Sequence, residues 1–159
     1  MYRLDFADFL NDAIRILIIA STLKNSNAIK LTEQKVKLCD YYLKFPVTMF
    51  GNDIQEDAFK ANFDEFYAFF HWQPEAAQYR RVLNYLIAKG FLEKKLDLQV
   101  VYQITDKGQE ALSGIENPYK ESLVRISTIM AQEIHRLSSD LGIEKEILRK
   151  SDILSRRMV

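Results

Sequence analysis

A single cysteine, Cys39, in a chain of 159 residues excludes an internal disulfide and any cysteine-rich zinc site. Its neighbours Leu38 and Tyr42 place that thiol in a core rather than at a reactive surface. The two histidines, His71 and His135, stand far apart in helical contexts, so neither HExxH nor a metal-spaced Cys/His pair arises. His71, beside Trp72, reads as a half-buried packing residue and His135 as a solvated one. Five glycines leave no Gly-rich phosphate loop, and there is no GxSxG elbow or Cys–His nucleophile arrangement. The carboxylates Asp64 and Glu65, or Asp53, Glu56 and Asp57, read as solvated surface. A non-enzymatic role is therefore expected, with no cofactor and no metal.

An excess of one charge is also missing, since 22 Lys and Arg face 22 Asp and Glu. An autonomous nucleic-acid binder normally carries a basic surplus, because counterion release supplies most of its non-specific affinity. No apolar run is long enough to span a bilayer; the longest, Ile14 to Ala20, is interrupted by Arg15. Asp5 and Asp8 stand where a signal peptide would need positive charge. A cytoplasmic protein without a membrane partner is expected.

What the chain does have is apolar material, 48 % of its residues with ten phenylalanines, enough for the core of one ordinary domain. The spacing Phe6, Phe9, Leu10, Ala13, Ile14, Leu17 and Ile18 predicts a helix from Asp5 to about Lys24, widened by Ile16 and Ile19 until it must be largely buried. Asn25-Ser26-Asn27 ends it. A second helix starts at the N-cap Thr32, runs through Val36, Cys39, Tyr42 and Leu43, and stops before Pro46. Residues 46–62 read as an acidic loop with room for one short helical turn. The aromatic segment Phe63 to Trp72 reads as the first helix of a helix-turn-helix, with Gln73-Pro74 as the turn.

The next stretch is the most informative. Tyr79, Val82, Leu83, Leu86 and Ile87 make one core-facing stripe on a helix from Glu75 to Lys89, closed by Gly90. Leu92, Lys94, Leu96 and Leu98 then alternate with Glu93, Lys95 and Asp97, and Val101 to Ile104 returns as a second strand. Another helix opens at Thr105. A helix, a glycine stop, a hairpin and a new helix are the layout of a winged helix-turn-helix in a mainly α (α+β) domain. The second helix would present Gln78, Arg80, Arg81 and Asn84, and the wing Lys94 and Lys95, as candidate DNA contacts. A solvated helix face or a protein contact is the commoner use of such residues.

Asn117-Pro118 opens the last helix. Tyr119, Leu123, Ile126, Met130, Ile134, Leu137 and Leu141 recur on it at spacings of three and four, a seam of about six turns. Its length suits a packing surface, either for another subunit or for the first helix of this chain. The organisation read from the sequence is therefore 1–116 for the N-terminal helices and winged-helix core, 117–141 for the packing helix and 142–159 for a charged tail that orders on a partner.

Three segments carry a resemblance. Ala13-Ile14-Arg15-Ile16-Leu17-Ile18-Ile19 is followed by Lys37-Leu38-Cys39-Asp40-Tyr41-Tyr42-Leu43-Lys44; the winged helix spans Tyr79 to Ile104; and Gly114-Ile115-Glu116-Asn117-Pro118-Tyr119 opens the last helix. Their order and character resemble the middle component of bacterial ABC-three-component conflict systems, including the small subunit of Lamassu-type antiphage complexes. That family places a leucine-aspartate-tyrosine helix before its winged helix and an acidic-x-proline-tyrosine step at its last helix. Other members often carry Gly- and Pro-rich linkers after the second helix, where this chain has residues 46–62. The resemblance implies a non-catalytic adaptor that joins an SMC/Rad50-like ABC ATPase to an effector, often a nuclease, with double-stranded DNA as a further candidate partner inside the complex. The alternative is a winged-helix transcription regulator that dimerises through its terminal helix, as PadR-like and MarR-like repressors do; Ile104-Thr105-Asp106-Lys107-Gly108 resembles those regulators.

Overall fold

Helix α1 (Phe6–Leu23) is apolar almost all round, and the consequence is burial: Ile16, Leu17, Ile18, Ile19 and Ala20 all lie in the core. The structure, a computed structural model, describes residues 6–26, 28–51 and 76–156. Helix α2 (Glu33–Lys44) begins at Thr32, whose hydroxyl accepts the N–H of Lys35, and ends as expected before Pro46. Pro46 opens a short helix α3 (Pro46–Phe50), the one turn for which the sequence left room. The rest of the expected 46–62 loop beyond Gly51, the aromatic segment Phe63 to Trp72 and the Gln73-Pro74 turn lie outside the described residues.

Helix α4 (Ala76–Ala88) buries Tyr79, Val82, Leu83 and Leu86 of the expected stripe and half-buries its fifth residue, Ile87. Gly90 stops it at φ 77°, with Phe91 N–H donating to Leu86 O and Gly90 N–H to Ile87 O. This paired capping needs a left-handed residue, which glycine supplies without strain. Strands β1 (Leu92–Asp97) and β2 (Gln99–Ile104) follow as an antiparallel hairpin, in register from Leu92 opposite Ile104 to Asp97 opposite Gln99. Leu98 forms the tip at φ 53°. Thr105 closes the base: its N–H reaches Phe91 O, and its hydroxyl donates to Gly90 O and accepts from Gly108 N–H, capping α5 (Asp106–Ser113). A side chain at Gly108 would collide with Phe91 O and stand 2.8 Å from Ile104 Cγ1, so the helix can approach the hairpin this closely only with glycine there.

Helix α6 (Pro118–Leu137) starts at the Asn117 cap, as read from the sequence. Its seam is occupied by the chain itself. Leu123, Ile126, Met130 and Ile134 are buried, and α6 packs on α1 and α2, with Thr22 and Ser127 hydroxyls 2.7 Å apart across the α1 contact. Of the two uses the sequence allowed, the intramolecular one holds, and these four residues have no surface to offer another subunit. Leu137 is half-buried against the core and Tyr119 is exposed.

The expected charged tail needs correction as well. Residues 140 onward form helix α7 (Asp140–Arg156), and the break falls at Ser138, φ 60°, rather than at Gly142. Ile143 and Ile147 are buried in the same core, supplying the apolar stripe that mixed charge obscured. Polar ties fix α7 to α2: Lys35 to Asp140 at 2.5 Å, Gln34 to Glu144 at 2.9 Å, and the Tyr41 and Ser151 hydroxyls at 2.6 Å. Lys150 Nζ donates to Met49 O at the end of α3. The described residues are mainly helical with one small antiparallel sheet, and no helix among them is long and apolar enough to cross a membrane.

Candidate functional site

Helix α4 and the hairpin stand side by side, and a buried polar network ties α4 to α1 and α2. Arg15 in α1 donates through Nε to Asp40 Oδ1 in α2 at 2.7 Å and reaches Asp12 through its Nη2. Tyr79 in α4 donates its hydroxyl to Asp40 Oδ2 at 2.5 Å, and Gln78 Nε2 donates to Asp12 Oδ2 at 2.7 Å. Burial alone would lower the Arg15 pKa, but the two aspartates outweigh it and hold the guanidinium above its ordinary value. Burial, reinforced by Asp40, pushes the Tyr79 hydroxyl up and keeps it a donor. Asp40 thus gathers three helices, α1, α2 and α4, and the following Tyr41 holds α7.

The six candidate DNA contacts are separated by this arrangement. Gln78 is committed inward to Asp12. Arg80 is exposed but pairs through Nε with Glu33 Oε1 at 3.0 Å. Arg81 and Asn84 are exposed on α4, and Lys94 is exposed on β1; among the described residues neither Arg81 nor Lys94 makes an ion pair. Arg80, Asn84 and Lys94 line one cavity of about 320 Å³ with Glu33, Val100 and Tyr102. Lys95 points to the other face of the hairpin, pairs with Glu93 at 3.2 Å, and lines a different cavity of about 260 Å³ with Lys24, Lys30 and Asp97. Lys30 and Asp97 form an ion pair of their own across that cavity. Burial and the nearby Glu33 raise the Tyr102 pKa, with Arg80 opposing.

The most unusual surface lies at the far end of the hairpin. Leu96 is 83 % exposed, Leu98 is fully exposed, and Val100, opposite Leu96 in register, is 37 % exposed. Large aliphatic side chains presented together in this way are characteristic of an interaction surface. The alternation in sequence places Leu96 and Leu98 in a strand but does not show what would cover them. The available signal was length: Leu92 and Ile104 satisfy the core, and the alternation continues beyond it.

His135 is exposed and Cys39 is fully buried, its thiol pushed up to about 12 by desolvation. Among the described residues no group of three His, Cys, Asp or Glu side chains could hold a metal ion. No protein-family model matches the chain, and no curated protein or solved structure is significantly similar to it.

Proposed function

We propose that this chain is a winged-helix adaptor subunit, without catalysis of its own, that joins an SMC/Rad50-like ATPase to an effector such as a nuclease in an antiphage defence complex. The observation that carries the reading is the apolar hairpin tip, Leu96, Leu98 and Val100. A wing that follows a phosphate backbone presents cations there, because phosphate contacts are electrostatic. Exposed aliphatic residues instead gain free energy when a protein surface removes them from water. The neutral overall charge and the capture of Gln78 and Arg80 by Asp12 and Glu33 point the same way. The three segments resembling the middle component of ABC-three-component systems supply the identity of the partners.

Co-expression with the proteins encoded beside its gene, followed by mass measurement in solution, tests this reading. A heteromeric particle that contains the ATPase supports it, and a lone chain in the presence of both neighbours overturns it.

The regulator reading has one observation in its favour, the solvent-facing trio Arg81, Asn84 and Lys94. Against it, the terminal-helix seam that would dimerise such a regulator is buried within the chain. Duplex binding by the isolated protein, lost on Arg80→Ala plus Arg81→Ala and falling steeply with salt, is its test.

A further inference from the structure

The two edges of the hairpin are not equivalent. Thr105 N–H donates to Phe91 O across its base at 3.0 Å. Counting outward in twos, the pairs Glu93/Gln103 and Lys95/Val101 turn their backbone groups toward each other, while Lys94 and Leu96 turn theirs away on one side and Tyr102 on the other. The β2 side is covered, because Tyr102 N–H is taken by Leu31 O at 2.9 Å. On the β1 side, no described residue meets the backbone of Lys94 or Leu96. An open edge of this kind is a template for one more strand.

Resting on the adaptor reading, we propose that the β1 edge receives an extended segment of a partner protein as a third strand, in which an acidic and an aliphatic residue stand two positions apart on one face. The side chains that would neighbour the added strand specify it. Lys94 and Leu96 lie on the same face, two residues apart, beside Val100 and Tyr102. Lys94 makes no ion pair among the described residues, whereas Arg80 in the same cavity is paired with Glu33, so a carboxylate opposite Lys94 meets the ammonium of Lys94 itself. An aliphatic residue two positions away covers Leu96 and extends the apolar row to Val100. Main-chain hydrogen bonds supply affinity in such an addition, and the alternating side chains supply selectivity. A second copy of this chain is the poorer occupant: two β1 edges paired around Lys94 would set lysine against lysine, and pairing around Leu96 engages only the hairpin tip.

The probe is a ten-residue capped peptide in which glutamate and valine take turns at every second position with threonine between them, so that both share one face; it is titrated into the full chain and followed by residue-resolved amide exchange. Saturable binding is expected, with exchange at Lys94 and Leu96 slowed at least tenfold and Glu93 and Lys95 unchanged. Replacing the glutamates by lysine should weaken binding at least tenfold. Leu96→Pro should do the same while leaving the hairpin's own bonds in place, because the lost N–H points outward. Lys94→Glu should reverse the preference between the two peptides, which keeps the test decisive if the proline variant does not fold. Equal binding of both peptides, or no protection at Lys94 and Leu96, overturns the proposal, as does a free chain that is already dimeric with those amides protected. A complex with the neighbouring proteins that forms while Lys94 and Leu96 exchange as in the free chain removes the strand inference and leaves the adaptor reading standing.

Discussion

Arg15 and Asp40 meet at 2.7 Å between two helices, 25 residues apart in sequence, with 5 % and 1 % of their surfaces exposed. A buried pair of this kind adds little against an apolar replacement, but losing one partner strands a charge. Arg15→Met is therefore expected to destabilise the chain by about 3–5 kcal/mol. Adding Asp40→Leu to it should recover part of that loss. Urea unfolding of the single and double variants measures both; a double variant as unstable as the sum of two singles would contradict the coupling.

Two buried tyrosines predict opposite outcomes for one substitution. Tyr79→Phe removes a donor from Asp40 and should cost about 2 kcal/mol, the scale of a hydrogen bond to a charged group. The Tyr42 hydroxyl is buried without a hydrogen-bond partner among the described residues. Tyr42→Phe should be neutral or stabilising, since nothing is lost but an unsatisfied polar atom. Thermal unfolding of the two variants side by side decides it.

The α6 seam makes its prediction through the core. Met130 is fully buried within the chain, so Met130→Ala should cost about 2–5 kcal/mol in the isolated protein. Met130→Glu with Ile134→Glu should unfold the chain, not merely detach a partner. Circular dichroism of the double variant checks this, and a folded spectrum would restore the seam as an open surface.

Alkaline pH should unfold the protein through groups it keeps protonated. Burial raises the Cys39 thiol from 9.0 to about 12, and burial likewise raises Tyr42 and Tyr79 above 10.0. The unfolded chain releases these protons first, so stability is intact below about pH 9 and is lost as pH rises through about 12. Alkylation of Cys39 at pH 8 should proceed only on unfolding, and rapid labelling of the native chain would contradict its burial.

Local signals were legible in the sequence and long-range ones were not. Thr32, Thr105 and Asn117 cap the helices they were expected to cap, because capping is decided within three residues. Gly90 and the alternation after it marked the hairpin. Helix α7 escaped because Gly142 and mixed charge conceal a stripe, Ile143 and Ile147, that gains meaning only against α2 and α6. Arg15 looked like an interruption of an apolar run; its partner lies in another helix, and no local pattern announces such a pairing. The hairpin tip was half legible, since the alternation of Leu96 and Leu98 was visible but its reach beyond the core was not.

The central claim is that the hairpin tip engages a protein partner, and it is tested most directly by the solution mass of the chain co-expressed with its genomic neighbours, wild type against Leu96→Glu plus Leu98→Glu. Both side chains are already exposed, so the variant should match the wild type in thermal stability within about 0.5 kcal/mol. The account predicts a heteromeric complex for the wild type and a free monomer for the variant. A variant that assembles as fully as the wild type would contradict it.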